Sequence, residues 1–202
     1  MKHHPLTKFL VLSVVSFCIG TMHGMLQVMP PVRHWLDSIG SPFSGPGHMI
    51  DPLAHAHMNL VGGVVLLAMG VTYYLLPILT GRAIRSARLV EFTFWFTAIG
   101  CYAFYIIQMG FGIGEGMLLL SAPADIEALH RYYGPAVAVS GIVMAAGFFC
   151  YLANIALTLR PAGTLLFGDE IDRGAKQHRA QQHFQHVRNS GDSALEVRAA
   201  GH

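Results

Sequence analysis

The chain has 202 residues, 53% of them hydrophobic and only 12% charged, with a formal charge of +2. Soluble domains carry about 25% charged residues, so this composition argues against a water-soluble fold. A charge so near neutral, with no basic stripe interleaved with aromatics, argues against nucleic-acid partners. The charges are also unevenly placed: residues 9–29 and 92–113 contain no Asp, Glu, Lys or Arg, and each run exceeds the roughly 20 residues that cross a bilayer core.

The first span covers residues 9–29, behind Lys2 and Lys8. A charged start before an apolar core also describes a signal peptide. No A-x-A-type cleavage site follows, however, and the run is long, so a retained helix is expected. Pro30 and Pro31 cannot continue a helical hydrogen-bond ladder, and the Gly-, Pro- and Ser-rich stretch up to Met49 reads as an extramembrane loop. Asp51-Pro52 signals a helix start, with the carboxylate as N-cap and proline at the first helical position. It opens a second span to about Leu76, which Pro77 and Gly81 end. Arg82, Arg85 and Arg88 fill a short connection to a third span over about residues 89–116. Ser121-Ala-Pro-Ala-Asp125 then opens a fourth that runs to about Leu159.

The expected fold class is all-α, a polytopic membrane four-helix bundle over residues 1–159. A polar tail over 160–202 follows, with Gln177, Gln181, Gln182 and Gln185. Lys and Arg number two before the first span, three between the second and third, and six from Arg160 onward, against only Arg33 and Arg131 in the other two connections. The positive-inside rule therefore puts both termini in the cytoplasm. Cys18, Cys101 and Cys150 fall inside apolar spans, where packing is expected rather than a disulfide framework or a CxxC metal motif.

Twelve histidines are the outlier in this apolar chain. His3, His4, His178, His183, His186 and His202 lie in cytoplasmic segments of irregular spacing, where solvated surface is the leading reading and metal binding the alternative. His34 and His48 lie in the outer loop and read as surface residues. His23, His55, His57 and His130 sit in the outer third of spans, where an ionisable group is costly and marks a site by default; the blander reading is a histidine hydrogen-bonded at the interface.

Counted from their helix ends, His23, His57 and His130 lie roughly 8–9 Å deep, which predicts one common level. Ser13, Ser16, Gly20, His23 and Gln27 recur at three- and four-residue steps, a small or polar stripe that turns His23 inward. His55 and His57 are about 200° apart on an α-helix. His55 shares a face with Asn59, Gly62 and Gly63, and His57 one with Val61, Val64 and Ala68, so periodicity leaves open which faces inward. Imidazole suits zinc, copper and iron. An apolar slot between helices favours heme, with a dry copper or zinc site as the metal alternative. Arg131 is a partner for heme propionates or an interface anchor, and Glu115 a proton or ion ligand or a solvated interfacial group.

The second span, running Ala54-His-Ala-His-Met-Asn-Leu-Val-Gly-Gly and on through Met69-Gly, Tyr73-Tyr-Leu and Pro77, resembles helix II of the large subunit of bacterial nitric oxide reductases and C-family heme–copper oxidases. The third span, with Phe104-Tyr-Ile-Ile-Gln-Met-Gly-Phe-Gly-Ile-Gly-Glu-Gly116, is similar to their next helix. The resemblance implies that the His-x-Asn histidine, here His57, is an axial ligand of a low-spin heme b, with the spacing to Pro77 keeping His55 as the alternative. It further implies a multi-pass protein of the bacterial cytoplasmic membrane, working in respiratory electron transfer with respiratory-complex subunits, a periplasmic carrier or a second copy of itself. The expected axial pair is His57 and His130, with His23 in reserve. The family's catalytic subunits have about twelve spans, so four alone are not expected to reduce oxygen or nitric oxide. A copper or heme assembly factor and a heme-based gas sensor are the competing expectations.

Overall fold

The computed structural model describes residues 5–160. Helix α1, Thr7–Val28, is followed by the short α2, Pro30–Ser38. The second span begins as α3, Pro52–His57, widens into a π-helix over Met58–Val65 and continues as α4, Leu66–Thr80. Helix α5 covers Ala87–Ser121. A 3-10 turn, Pro123–Asp125, and the five-residue α6, Ile126–His130, lead into α7, Tyr133–Leu159. Four helical stretches are long and apolar enough to cross a membrane: Thr7–Val28, Pro52–Thr80, Ala87–Ser121 and Pro123–Leu159. The expected polar tail lies outside the described residues beyond Arg160, as do His3, His4, His178, His183, His186 and His202.

The distribution of polarity is that of a lipid-immersed bundle. Ser13, Ser16, His23 and Gln27 of α1, Thr93, Thr97, Gln108 and Glu115 of α5, and Ser140 and Asn154 of α7 are buried, whereas Val11, Val14, Met22, Met25, Ile99, Ile106, Val139 and Ile142 point outward. Between helices in lipid there is little hydrophobic drive, so close backbone packing and interhelical hydrogen bonds take over. Gly100 and Gly147 show this at the α5–α7 seam. A Cβ on Gly100 would stand 2.4 Å from the Met144 backbone nitrogen, and one on Gly147 would stand 2.6 Å from that of Thr97. The seam is latched at one end by Asn154, whose amide donates to Ser86 O at 2.9 Å and accepts from Ser86 N at 3.1 Å, so one side chain satisfies backbone groups at the start of α5.

Four features depart from the sequence expectations. Pro30 starts α2 instead of a loop, because a proline at the first helical position gives up an N–H that has no intrahelical partner anyway. In α2, Arg33 donates to Asp37 one turn on, which holds the Asp37 carboxyl below its ordinary range. Pro77 lies within α4, which runs on to Thr80 and ends at Gly81 in the left-handed region, φ 67°. The fourth span is broken by the Arg131–Tyr132 turn before α7. Cys18 is exposed on α1; of the three thiols only Cys101 is buried, packed with Met58 and Val61.

The π-helix lies against α1, whose Ser13 Oγ donates to Gly63 O at 2.8 Å. Gly62 and Gly63 admit α1 here: added Cβ atoms would meet Ser16 Oγ at 2.7 Å and the Phe17 ring at 2.8 Å. The stretch begins directly after His57, so its phase does not follow the 100° step on which a helical reading of this span depends.

Candidate cofactor site

His55 and His57, two residues apart, face different neighbours. His55 lies against α1: its ring is 5.5 Å from that of His23 in an edge-on contact, and a Cβ on Gly24 would approach it to 3.1 Å. His57 lies against α5, its ring 4.4 Å from Phe104. His57 Nδ1 sits 2.9 Å from Leu53 O. A carbonyl oxygen only accepts, so Nδ1 carries the hydrogen and the neutral ring keeps its free lone pair on Nε2. This is the way a metal-ligating histidine is usually oriented, its other N–H held by a carbonyl or carboxylate.

His130 is held similarly, with Nδ1 donating to Glu115 Oε1 at 2.8 Å and its ring stacked on Tyr133 at 5.3 Å. It does not share a level with His57. Phe104 and Glu115, their respective contacts on α5, are eleven residues apart, about 16 Å along the helix. The expected common depth counted five residues inward from Asp125, and that segment is helical; the difference in level lies instead in where each ring meets α5. The rings brought together are His23 and His55; His57 and His130 are not. Arg131 turns to Tyr132, its guanidinium donating to the phenol at 2.8 Å and lying 4.7 Å from the ring centre.

The end of the bundle around Glu115 holds a polar cluster that periodicity alone does not show. Glu115 and His48 are both almost wholly buried, which corrects the reading of Glu115 as solvated and of His48 as a surface residue. His34, by contrast, is exposed. Glu115 Oε2 accepts the Gly47 N–H at 2.9 Å, so the loop before the second span folds over the carboxylate. A Cβ on Gly112 would lie 3.1 Å from the His48 ring. His48 Nδ1 donates to Gly45 O at 2.5 Å, and its Nε2 is 3.5 Å from Asp51 Oδ2. Asp51 caps α3 by accepting from Leu53 N at 2.8 Å, and it also accepts from Tyr133 OH at 3.1 Å. Gln108 Nε2 reaches the same phenol at 3.5 Å.

Asp51, Tyr133, Gln108 and His48 are functional candidates that the sequence reading passed over. Gln108 had a signal, an amide inside an apolar span; His48 had none, because its burial is made by Gly112 and Glu115 more than sixty residues away. Among the described residues no three His, Cys, Asp or Glu side chains are grouped to hold a metal ion.

Residues 2–150 match the family described as cytochrome c and quinol oxidase polypeptide I. The chain is 23% identical over 79% of its length to a cytochrome c oxidase subunit 1 homolog of Agrobacterium tumefaciens, and 24% identical over 72% to the cbb3-type cytochrome c oxidase subunit CcoN1 of Stutzerimonas stutzeri. A probable cytochrome c oxidase subunit 1-beta of Nocardia farcinica is 30% identical over 52% of the chain. The chain covers only 30%, 32% and 16% of these three relatives. No solved structure matches it.

Proposed function

The chain belongs to the cytochrome c and quinol oxidase polypeptide I family, and from that footing we propose that it binds heme b through His57 and serves respiratory electron transfer in a bacterial cytoplasmic membrane, with both termini inside. The observation that carries this reading is the Leu53 carbonyl at 2.9 Å from His57 Nδ1, which leaves Nε2 as the ligand nitrogen of a ring backed by Phe104. Bound there, heme b supplies one-electron transfer. What the chain's residues do is orient: Leu53 O fixes the tautomer, Phe104 fixes the ring plane, and neighbouring apolar side chains keep the site dry, which tunes the potential.

His130, held by Glu115 at another level, is the polar end of this arrangement, and Arg131 beside it would supply the cation for a propionate. A second histidine ligand would come from a second copy of this chain, so that the purified protein would carry the complete site. Alone, the four spans pass electrons and do not turn over oxygen or nitric oxide.

Spectra of the purified protein, oxidised and reduced, test the proposal. Sharp, split visible bands on reduction are expected, with their loss in His57→Ala and their retention in His55→Ala. Bands that survive His57→Ala unchanged remove the assigned ligand. A carbon monoxide shift in the unaltered protein favours a sensor, and a preparation without heme favours an assembly role.

A further inference from the structure

Six buried side-chain polar atoms have no hydrogen-bond partner among the described residues. Four lie between α1 and the second span: both ring nitrogens of His23, His55 Nδ1 and Asn59 Oδ1. The other two, His48 Nε2 and Gln108 Oε1, belong to the polar cluster at the Glu115 end, where the hydrogens can be counted. His48, Asp51 and Glu115 are 1%, 4% and 0% exposed. The charged partners of the two carboxylates among the described residues are imidazoles alone. His48 Nε2 is 3.5 Å from Asp51 Oδ2, His48 Nδ1 is 3.8 Å from Glu115 Oε2, and His130 Nδ1 is 2.8 Å from Glu115 Oε1.

His48 Nδ1 carries a hydrogen, because the Gly45 carbonyl it meets at 2.5 Å only accepts. In a neutral ring that leaves a lone pair on Nε2, and the Asp51 Oδ2 opposite it is an acceptor whenever the carboxyl is ionised. Oδ2 also takes the Tyr133 hydroxyl hydrogen at 3.1 Å, and Oδ1 the Leu53 N–H at 2.8 Å, so both oxygens are placed as acceptors. Two lone pairs facing each other in a buried site repel, and buried carboxylates without a cation are costly. One added proton removes both penalties. We propose that His48 and Asp51 bind one proton between them, and that its loss releases the 39–50 loop from this end of the bundle.

The loop is fastened around this pair. Glu115 Oε2 accepts the Gly47 N–H at 2.9 Å, Ser41 Oγ donates to Gly47 O at 3.3 Å, and Met49 N donates to Ser41 Oγ at 3.0 Å. Around His48, α5 supplies the Glu115 carboxylate and the Gln108 amide, and α7 the Tyr133 phenol, its ring 6.2 Å from the imidazole. Helix α1 brings only the Gln27 amide, which donates to Ile50 O at 3.4 Å. His130 of α6 bonds to the other oxygen of Glu115. With neither Lys nor Arg paired to these carboxylates, the proton on His48 and Asp51 is the counter-charge that Glu115 has on this side. The sign follows. At low pH the proton is bound and the loop closed; as pH rises and the proton leaves, Asp51 and Glu115 stand as two buried negative charges about a neutral ring. The ring and its loop then move out to water, uncovering both carboxylates.

Hydrogen exchange of the 41–50 amides in the purified full chain, read by mass spectrometry from about pH 6 to about pH 9 and corrected for the intrinsic rate at each pH, tests the latch. Protection is expected to fall about tenfold or more as pH rises, the size of a lost buried hydrogen bond, while the amides within α5 and α7 keep theirs. In Asp51→Asn, whose side chain also caps α3 and can donate to His48 Nε2 without a shared proton, protection is expected to be independent of pH. His130→Gln is expected to keep the transition, since its amide still donates to Glu115. Flat protection in the unaltered chain overturns the proposal, and so does a transition that survives Asp51→Asn or vanishes in His130→Gln. Should Asp51→Asn not fold, infrared pH-difference spectra of the unaltered chain carrying 13C-labelled aspartate decide the matter. Exposed aspartates stay ionised over this range, so an aspartate carboxyl band that follows the loop supports the shared proton, and silent aspartate bands rule it out.

Discussion

At the scale of single residues, the buried polar groups separate into satisfied and unsatisfied ones. Glu115 belongs to the first kind, accepting from Gly47 N and His130 Nδ1 with its two oxygens. Replacing it with Gln supplies one acceptor where two are needed and turns an N–H toward the His130 donor. The expected cost is about 1–3 kcal/mol, read as a lower unfolding temperature in detergent; an unchanged midpoint would mean that the Gly47 loop is not held by this carboxylate. His23 belongs to the second kind, and its inward direction was legible: the stripe Ser13, Ser16, Gly20, His23 and Gln27 set out by helical spacing is buried throughout. Spacing resolved less on the second span. His55 and Asn59 were grouped correctly on one face, but the choice between His55 and His57 needed their partners, α1 and α5. His48 was illegible for another reason, because local sequence says a loop is present and only the fold says what the loop closes over.

At the scale of elements, apolar length located all four spans, and their interruptions were what it did not locate. A hydrophobic run has the same appearance whether its ladder is α throughout or widens to π at Met58–Val65, since the difference lies in which backbone carbonyl each N–H reaches. The turn at Arg131–Tyr132 was hidden likewise, inside a segment with a good start signal. Helix pairing gives a sharper test. Gly147 meets the Thr97 backbone nitrogen at 2.6 Å from an added Cβ, whereas a Cβ on Gly141, six residues earlier in α7, meets nothing within 4 Å. Gly147→Ala must push two backbones apart and should cost about 1–3 kcal/mol. Gly141→Ala should be neutral or stabilising by up to about 1 kcal/mol, since alanine is the better helix former. Thermal unfolding of the two variants side by side checks this, and equal midpoints would disprove the close α5–α7 seam.

At the scale of the whole molecule, the side of the membrane on which each end lies rests on charge, and the structure ties the charged segments to one another. Lys8 at the start of α1 pairs with Glu91 near the start of α5, and Arg82, in the connection before α5, donates to Leu159 O at the end of α7. The start of the first span, the connection between the second and third, and the end of the fourth therefore share one end of the bundle. That end holds Lys8, Arg82, Arg85, Arg88 and Arg160, while the connections at the other end hold only Arg33 and Arg131. Because the excess falls entirely on one end, the positive-inside rule acts on the bundle as a unit, and reversing it would carry five cationic side chains across together. The expectation is a cytoplasmic C-terminus and a periplasmic 39–50 loop. A fluorescent reporter that folds only in the cytoplasm should be bright when fused after His202, and an alkaline phosphatase inserted at the exposed Ser44 should be active. A dark C-terminal fusion together with an inactive Ser44 insertion would invert the bundle, place Glu115 and His130 at the cytoplasmic face, and remove the basis for exchange with a periplasmic electron carrier.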